Sequence, residues 1–146
     1  MAALDYTELR LLFRTKARAI TGFPADQYCI WEGRGETLPP TPDSDQVWCE
    51  EYLLPLTEQV ITHCANQQTG TYVLAFYYEK GRGTRALEAA MKAVADDFQP
   101  IQYLTDPDLT NAVVIERVTR SRVSTVEDSP WARATITIRW RTASPR

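Results

Sequence analysis

Gly81-Arg82-Gly83-Thr84 is the stretch of this sequence that most resembles a phosphate loop, with two glycines and a hydroxyl residue placed just before an apolar-periodic run. Unpaired backbone N–H groups at a helix start attract anions. The third glycine of G-x-G-x-x-G is missing, however, and so is the Gly-Lys-Ser/Thr ending of a Walker loop. The glycines are therefore expected to supply a turn with φ > 0, and Thr84 to cap the helix. His63, the sole imidazole, has apolar Ile61 and Ala65 as period-two neighbours and reads as a core or edge histidine. Cys29, Cys49 and Cys64 are odd in number and widely spaced, so buried free thiols are expected, not a disulfide framework or a zinc site. The adjacent carboxylates Glu50-Glu51, Asp96-Asp97 and Glu127-Asp128 point to different sides of a strand or lie on loops and helix surfaces. They read as solvated acids or subunit contacts. No catalytic residue, metal ligand or cofactor site is expected.

Charge is distributed unevenly. Residues 1–98 hold fourteen acids and nine bases, whereas residues 99–146 hold five acids and seven arginines with no lysine. Arg133, Arg139 and Arg141, joined by Arg120 and Arg122, suggest a nucleic-acid stripe. Interleaved aromatics are lacking, since Trp131 alone falls on that side, and the net charge is −3. An arginine-bearing sheet face paired with acids of the same or a neighbouring chain is the better reading. The 146 residues fit one domain, and 44% hydrophobic with 24% charged residues is ordinary for a soluble globular chain. No apolar run approaches membrane-spanning length and MAALDYTELR lacks a signal-peptide core, so residence in the cytoplasm is expected unless the chain is carried out as part of an assembly.

The elements that must position these residues follow from periodicity. Asp5 and Glu8 open an amphipathic helix over 5–20 that buries Leu9, Leu12, Phe13, Ala17 and Ile20 and shows Arg10, Arg14 and Arg18. A short strand, 27–31, leads into a long Pro/Gly/Asp-rich loop, 32–46, of the kind that is functional or mobile and that suits an arm ordering against a neighbouring subunit. Residues 47–56 and 59–64 read as a hairpin with Pro55 at a strand end, and 65–70 as a polar turn. Then come strand 71–79, turn 80–83 and helix 84–98, with Glu88 and Lys92 four apart. A short strand at 101–104, a loop at 105–111 and strand 112–118 follow, the last continued by 120–126 across a kink. After a turn at 127–130, the strand 131–141 alternates most regularly, and the tail 142–146 is expected to be mobile. The expected fold is α/β (α+β), a mixed, mostly antiparallel twisted sheet with two helices packed on one face.

The order helix, strand, long loop, strand pair, then G-T-Y-x-L-x-F-x-x-x-x-G-x-G-T-x-A-x-x-x-A-x-x-x-A-x-x-F over 70–98, I-E-R-V over 115–118 and W-x-R-x-x-I-x-I-x-W over 131–140 resembles the tail-terminator family of tailed bacteriophages. The resemblance runs from about residue 5 to 141. It implies a structural virion protein forming a hexameric ring. That ring would cap the tail tube after elongation to the length set by the tape-measure protein and offer its other side to the head-completion or connector protein. Genomic DNA would pass through the lumen without specific binding. The family offers no catalytic residues to carry over.

A closed ring needs two different patches that meet with a closing rotation. The candidate interface residues are the cations Lys80, Arg82, Arg85, Arg133, Arg139 and Arg141, set against the acids Asp43, Asp45, Glu127 and Asp128. The alternatives are another neck or tail-completion protein, a tail tube subunit or, from a different class, a small nucleotide- or nucleic-acid-binding enzyme using the 81–84 turn.

Overall fold

Strict alternation from Trp131 onward builds the centre of the sheet. The computed structural model describes residues 6–42, 45–62, 65–100, 103–104, 112–125 and 127–143. Its last strand, β7 (Trp131–Ala143), lies between β3 (Ala65–Glu79) and β5 (Ala112–Arg120). Outward from β3 come β2 (Trp48–Thr62) and β1 (Cys29–Ile30), and outward from β5 comes β4 (Tyr103–Leu104). The short β6 (Ser124–Thr125) also pairs with β7. Among the described residues only β1 and β2 pair in parallel. The sheet is mixed and mostly antiparallel, as expected.

Helices α1 (Tyr6–Arg18) and α2 (Arg85–Asp97) cover one face. Leu9, Phe13 and Ala17 of α1 and Leu87, Met91 and Val94 of α2 share one core with Tyr72, Leu74, Phe76, Ile136, Ile138 and Trp140. Phe13 is its hub, stacked 4.6 Å from Tyr72 and 6.3 Å from Phe98. Burying each such side chain contributes about 1.5–3 kcal/mol, so the apolar stripe, more than helix propensity, holds α1 in place. Lys16 and Asp97, 3.1 Å apart, tie the two helices together. On the opposite face Ala75, Tyr77 and Trp131 form a second cluster with Leu38, Trp48 and Tyr52. The 32–46 loop is anchored there, since the Trp131 indole N–H donates to the Pro39 carbonyl at 3.3 Å.

Four expectations are corrected. The hairpin does not join 47–56 to 59–64; β2 runs unbroken and pairs with β3 from Trp48↔Tyr77 to Thr62↔Ala65, so the supposed turn at 65–70 is strand. Pro55 sits inside β2, opposite Gly70, beside a register shift. The Leu53 N–H points outward and donates to the Glu32 carboxylate at 2.7 Å. N–H groups two apart point the same way, so Pro55 lacks its donor on the outer edge, where β3 needs none. Thr84 occupies the N-cap position but in an αR conformation, without a side-chain capping bond. Finally, Thr142, expected in a mobile tail, lies buried in β7, its hydroxyl accepting from the Gln68 N–H at 2.9 Å. Asp5, His63, Cys64 and the 105–111 loop lie outside the described residues.

Candidate assembly surfaces

The β3–α2 turn owes its shape to Gly81 (φ +87°) and Gly83 (φ +82°). An added Cβ at either would meet nothing within 4 Å, so the glycines serve backbone conformation, not the close approach of a ligand. Arg82 spans Glu79 at 2.5 Å and Asp45 at 3.3 Å. Two residues expected on opposite patches thus meet within one chain. The Lys80 N–H donates to the Pro130 carbonyl at 2.8 Å, which sets the exposed Glu127-Asp128 turn beside exposed Lys80. Asp43 lies outside the described residues.

The arginines of β7 share the helix-free face. A register shift between Ile115 and Arg117 presents Glu116 to Arg139 and Arg141, each 3.3 Å away. The Arg133 Nε–H donates to the Tyr77 hydroxyl at 3.1 Å, and that hydroxyl donates in turn to Glu50 at 3.1 Å. Tyr52 donates to the same carboxylate oxygen. Burial first, with Glu50 adding to it, pushes the Tyr52 and Tyr77 hydroxyls up, so both remain donors. Arg133 opposes this, least at Tyr52 and second only to burial at Tyr77. The face therefore neutralises much of its own charge.

Of the adjacent acids, Glu51 departs furthest from expectation. Its side chain is fully buried beneath α1, accepting from Arg14 Nη2 at 2.5 Å and from the Tyr72 hydroxyl at 2.5 Å. Arg14, expected on the solvent side, is only 15% exposed and stacks 5.1 Å from the Trp31 ring. The signal was present in β2, where Cys49 and Leu53 are core positions and period two makes Glu51 inward as well. Asp96 pairs with Lys92 at 2.5 Å, in place of the anticipated Glu88. Asp26 gathers Arg18 at 2.7 Å and Arg34 at 3.7 Å, and accepts from the Trp31 indole at 2.7 Å. That last bond is the largest cause holding its carboxyl below the ordinary value. Cys29 and Cys49 are buried free thiols, with burial pushing Cys29 up to about 12 and Cys49 well above its ordinary value.

Sequence reasoning missed a groove of about 480 Å³ between α2 and the end of β5, lined by Arg85, Glu88, Met91, Lys92, Arg120 and Ser121 among others. Arg120 pairs in register with core residue Ile136, which turns it toward the helical face. Among the described residues no carboxylate forms an ion pair with Arg85 or Arg120, and no group of acidic, His and Cys side chains fit for a metal is present. No helix among them is long and apolar enough to cross a membrane.

Comparison with known proteins adds three findings. A family model described as phage tail terminator protein matches residues 13–140. A solved chain is similar in fold, with a TM-score of 0.70 at 16% identity, the alignment covering 99% of each chain. No curated protein sequence matches.

Proposed function

The chain belongs to the bacteriophage tail terminator family, and we propose that it works as a ring-forming subunit, six copies closing on the end of the tail tube. The family is one of structural tail proteins, which places the chain in the virion tail. The finer reading is that the ring stops elongation at the length set by the tape-measure protein and presents its other side to the head-completion or connector protein. DNA passes through its lumen without specific recognition. The family match over residues 13–140 carries this reading. The partnered β7 arginines support it, because an arginine already held by Glu116 or Tyr77 offers less to a passing phosphate. The role is structural, not catalytic, and assembly takes place in the host cytoplasm.

Size analysis of the purified protein, with and without isolated tail tubes, tests the proposal. Closed rings, alone or on tube ends, are expected. A monomer that neither closes into rings nor binds tube ends overturns it, and long cylinders of the chain alone indicate a tube subunit.

A further inference from the structure

We infer that the α2–β5 groove receives the acidic β1–β2 loop of a second copy of this chain. The inference rests on the ring reading and specifies which two patches close the ring.

Topology supplies the first reason. The strand order β1-β2-β3-β7-β5-β4 puts the start of the 32–46 loop at one edge of the sheet and the groove beside β5 toward the other. A head-to-tail contact needs two unlike patches on different sides of the subunit, and the groove and the first part of the loop, around Glu36, provide them, whereas Asp45 at the loop's far end is held by Arg82 of its own chain, three residues before Arg85 of the groove.

Strand-to-strand joining at the loop's edge is obstructed. Glu32 already occupies the outward Leu53 N–H, and Pro55 presents no donor two residues on. An edge blunted in this way discourages an added strand, so a contact there must be made by side chains and the loop. On the β5 side, exposed Glu116, Arg117 and Arg120 make the edge charged.

Charge selects the occupant. Arg85, Lys92 and Arg120 outnumber Glu88 in the groove, and Arg85 and Arg120 have no ion-pair partner among the described residues. By sequence the loop carries Glu32, Glu36, Asp43 and Asp45 against Arg34. Glu36 is exposed and without an ion pair among the described residues, and the Asp45 side chain is 84% exposed. Arg34, the one loop cation, is turned back to Asp26.

The loop is also prepared for docking. Pro39, Pro40 and Pro42 restrict its backbone. Leu38 packs against the Trp131 cluster, and Asp45 is held at Arg82. Less conformational entropy is therefore lost on docking than for a free loop. Met91 gives the groove an apolar wall.

Two experiments test the contact. In a Cys64→Ser background, Thr37→Cys combined with Ser121→Cys should give, on mild oxidation, a ladder of disulfide-linked species ending at the closed ring. Either cysteine alone should stop at a dimer or below. Separately, Arg85→Glu with Arg120→Glu should lower the ring fraction by about tenfold or more through like-charge contact. Glu36→Arg should restore part of it, and thermal unfolding of the monomer should be unchanged. Rings in the parent protein, with no ladder and an undiminished ring fraction in the Arg85/Arg120 variant, overturn this inference and leave the ring reading standing. Absence of rings in the parent protein, even with tail tubes, overturns the ring reading itself.

Discussion

Arg14 on α1 and Glu51 on β2, 37 residues apart in sequence, form a forked ion pair beneath the helix, with Arg14 Nη2 2.5 Å and Nε 3.3 Å from the carboxylate oxygens. The two partners are not equivalent. Glu51 is fully buried, whereas Arg14 retains 15% exposure and a second acceptor, the Glu32 carbonyl at 3.4 Å. Arg14→Met strands a buried carboxylate with only Tyr72 to satisfy it and is expected to cost about 3–5 kcal/mol. Glu51→Gln leaves a partly solvated guanidinium and should cost less. Denaturant melts of the two single variants check the order, and equal costs would contradict the asymmetric burial.

Gly70 is required for space. A Cβ there would lie 2.6 Å from Trp140 Cζ2 and 2.7 Å from the Leu54 carbonyl oxygen. One contact is a core indole at 0% exposure and the other is backbone, so neither gives way cheaply. Gly70→Ala is expected to destabilise by about 1–3 kcal/mol, the usual cost of overpacking. Calorimetry should show a lowered Tm, and an unchanged value would mean that Trp140 repacks freely.

Asp26 makes acid sensitivity a local property. Its folded value lies below the ordinary 3.8, so its contribution is present above 3.8 and is lost as the pH falls through the folded value. Asp26→Asn should be less stable than the parent at pH 7, and the difference should close on acidification below 3.8. Urea midpoints measured from pH 7 downward test this. A gap that stays constant with pH would contradict the assignment.

Arg139 is 44% exposed and paired with Glu116. Exposed pairs contribute about 0–1 kcal/mol, so Arg139→Glu should leave the fold nearly intact while setting a like charge beside Glu116. If this face takes part in assembly, tails made with the variant lose infectivity while the purified chain keeps its Tm. Normal infectious tails would count against an interface role for Arg139.

The helices and β7 were legible because one apolar stripe or one alternating face decides each: Ile136, Ile138 and Trp140 are core by spacing alone. The β2–β3 hairpin was not. Pro55 and the polar stretch before Thr71 look like turn chemistry, and only the pairing shows that Pro55 faces an edge and that Gly70 makes room for Trp140. Glu51 was misread because adjacent acids suggest solvent, although β2 alternation places it inward; its partner lies on a distant helix. Glu116 was likewise invisible as a partner for Arg139 and Arg141, since it depends on the β5 register shift. The groove combines α2 with a β5 residue about thirty positions away, a juxtaposition no local pattern encodes.

The most direct measurement is electron microscopy of isolated tails carrying a small tag on this chain. A single ring of six labelled subunits at one end of each tube is predicted. Label along the length of the tube, or none at either end, would contradict a terminator role.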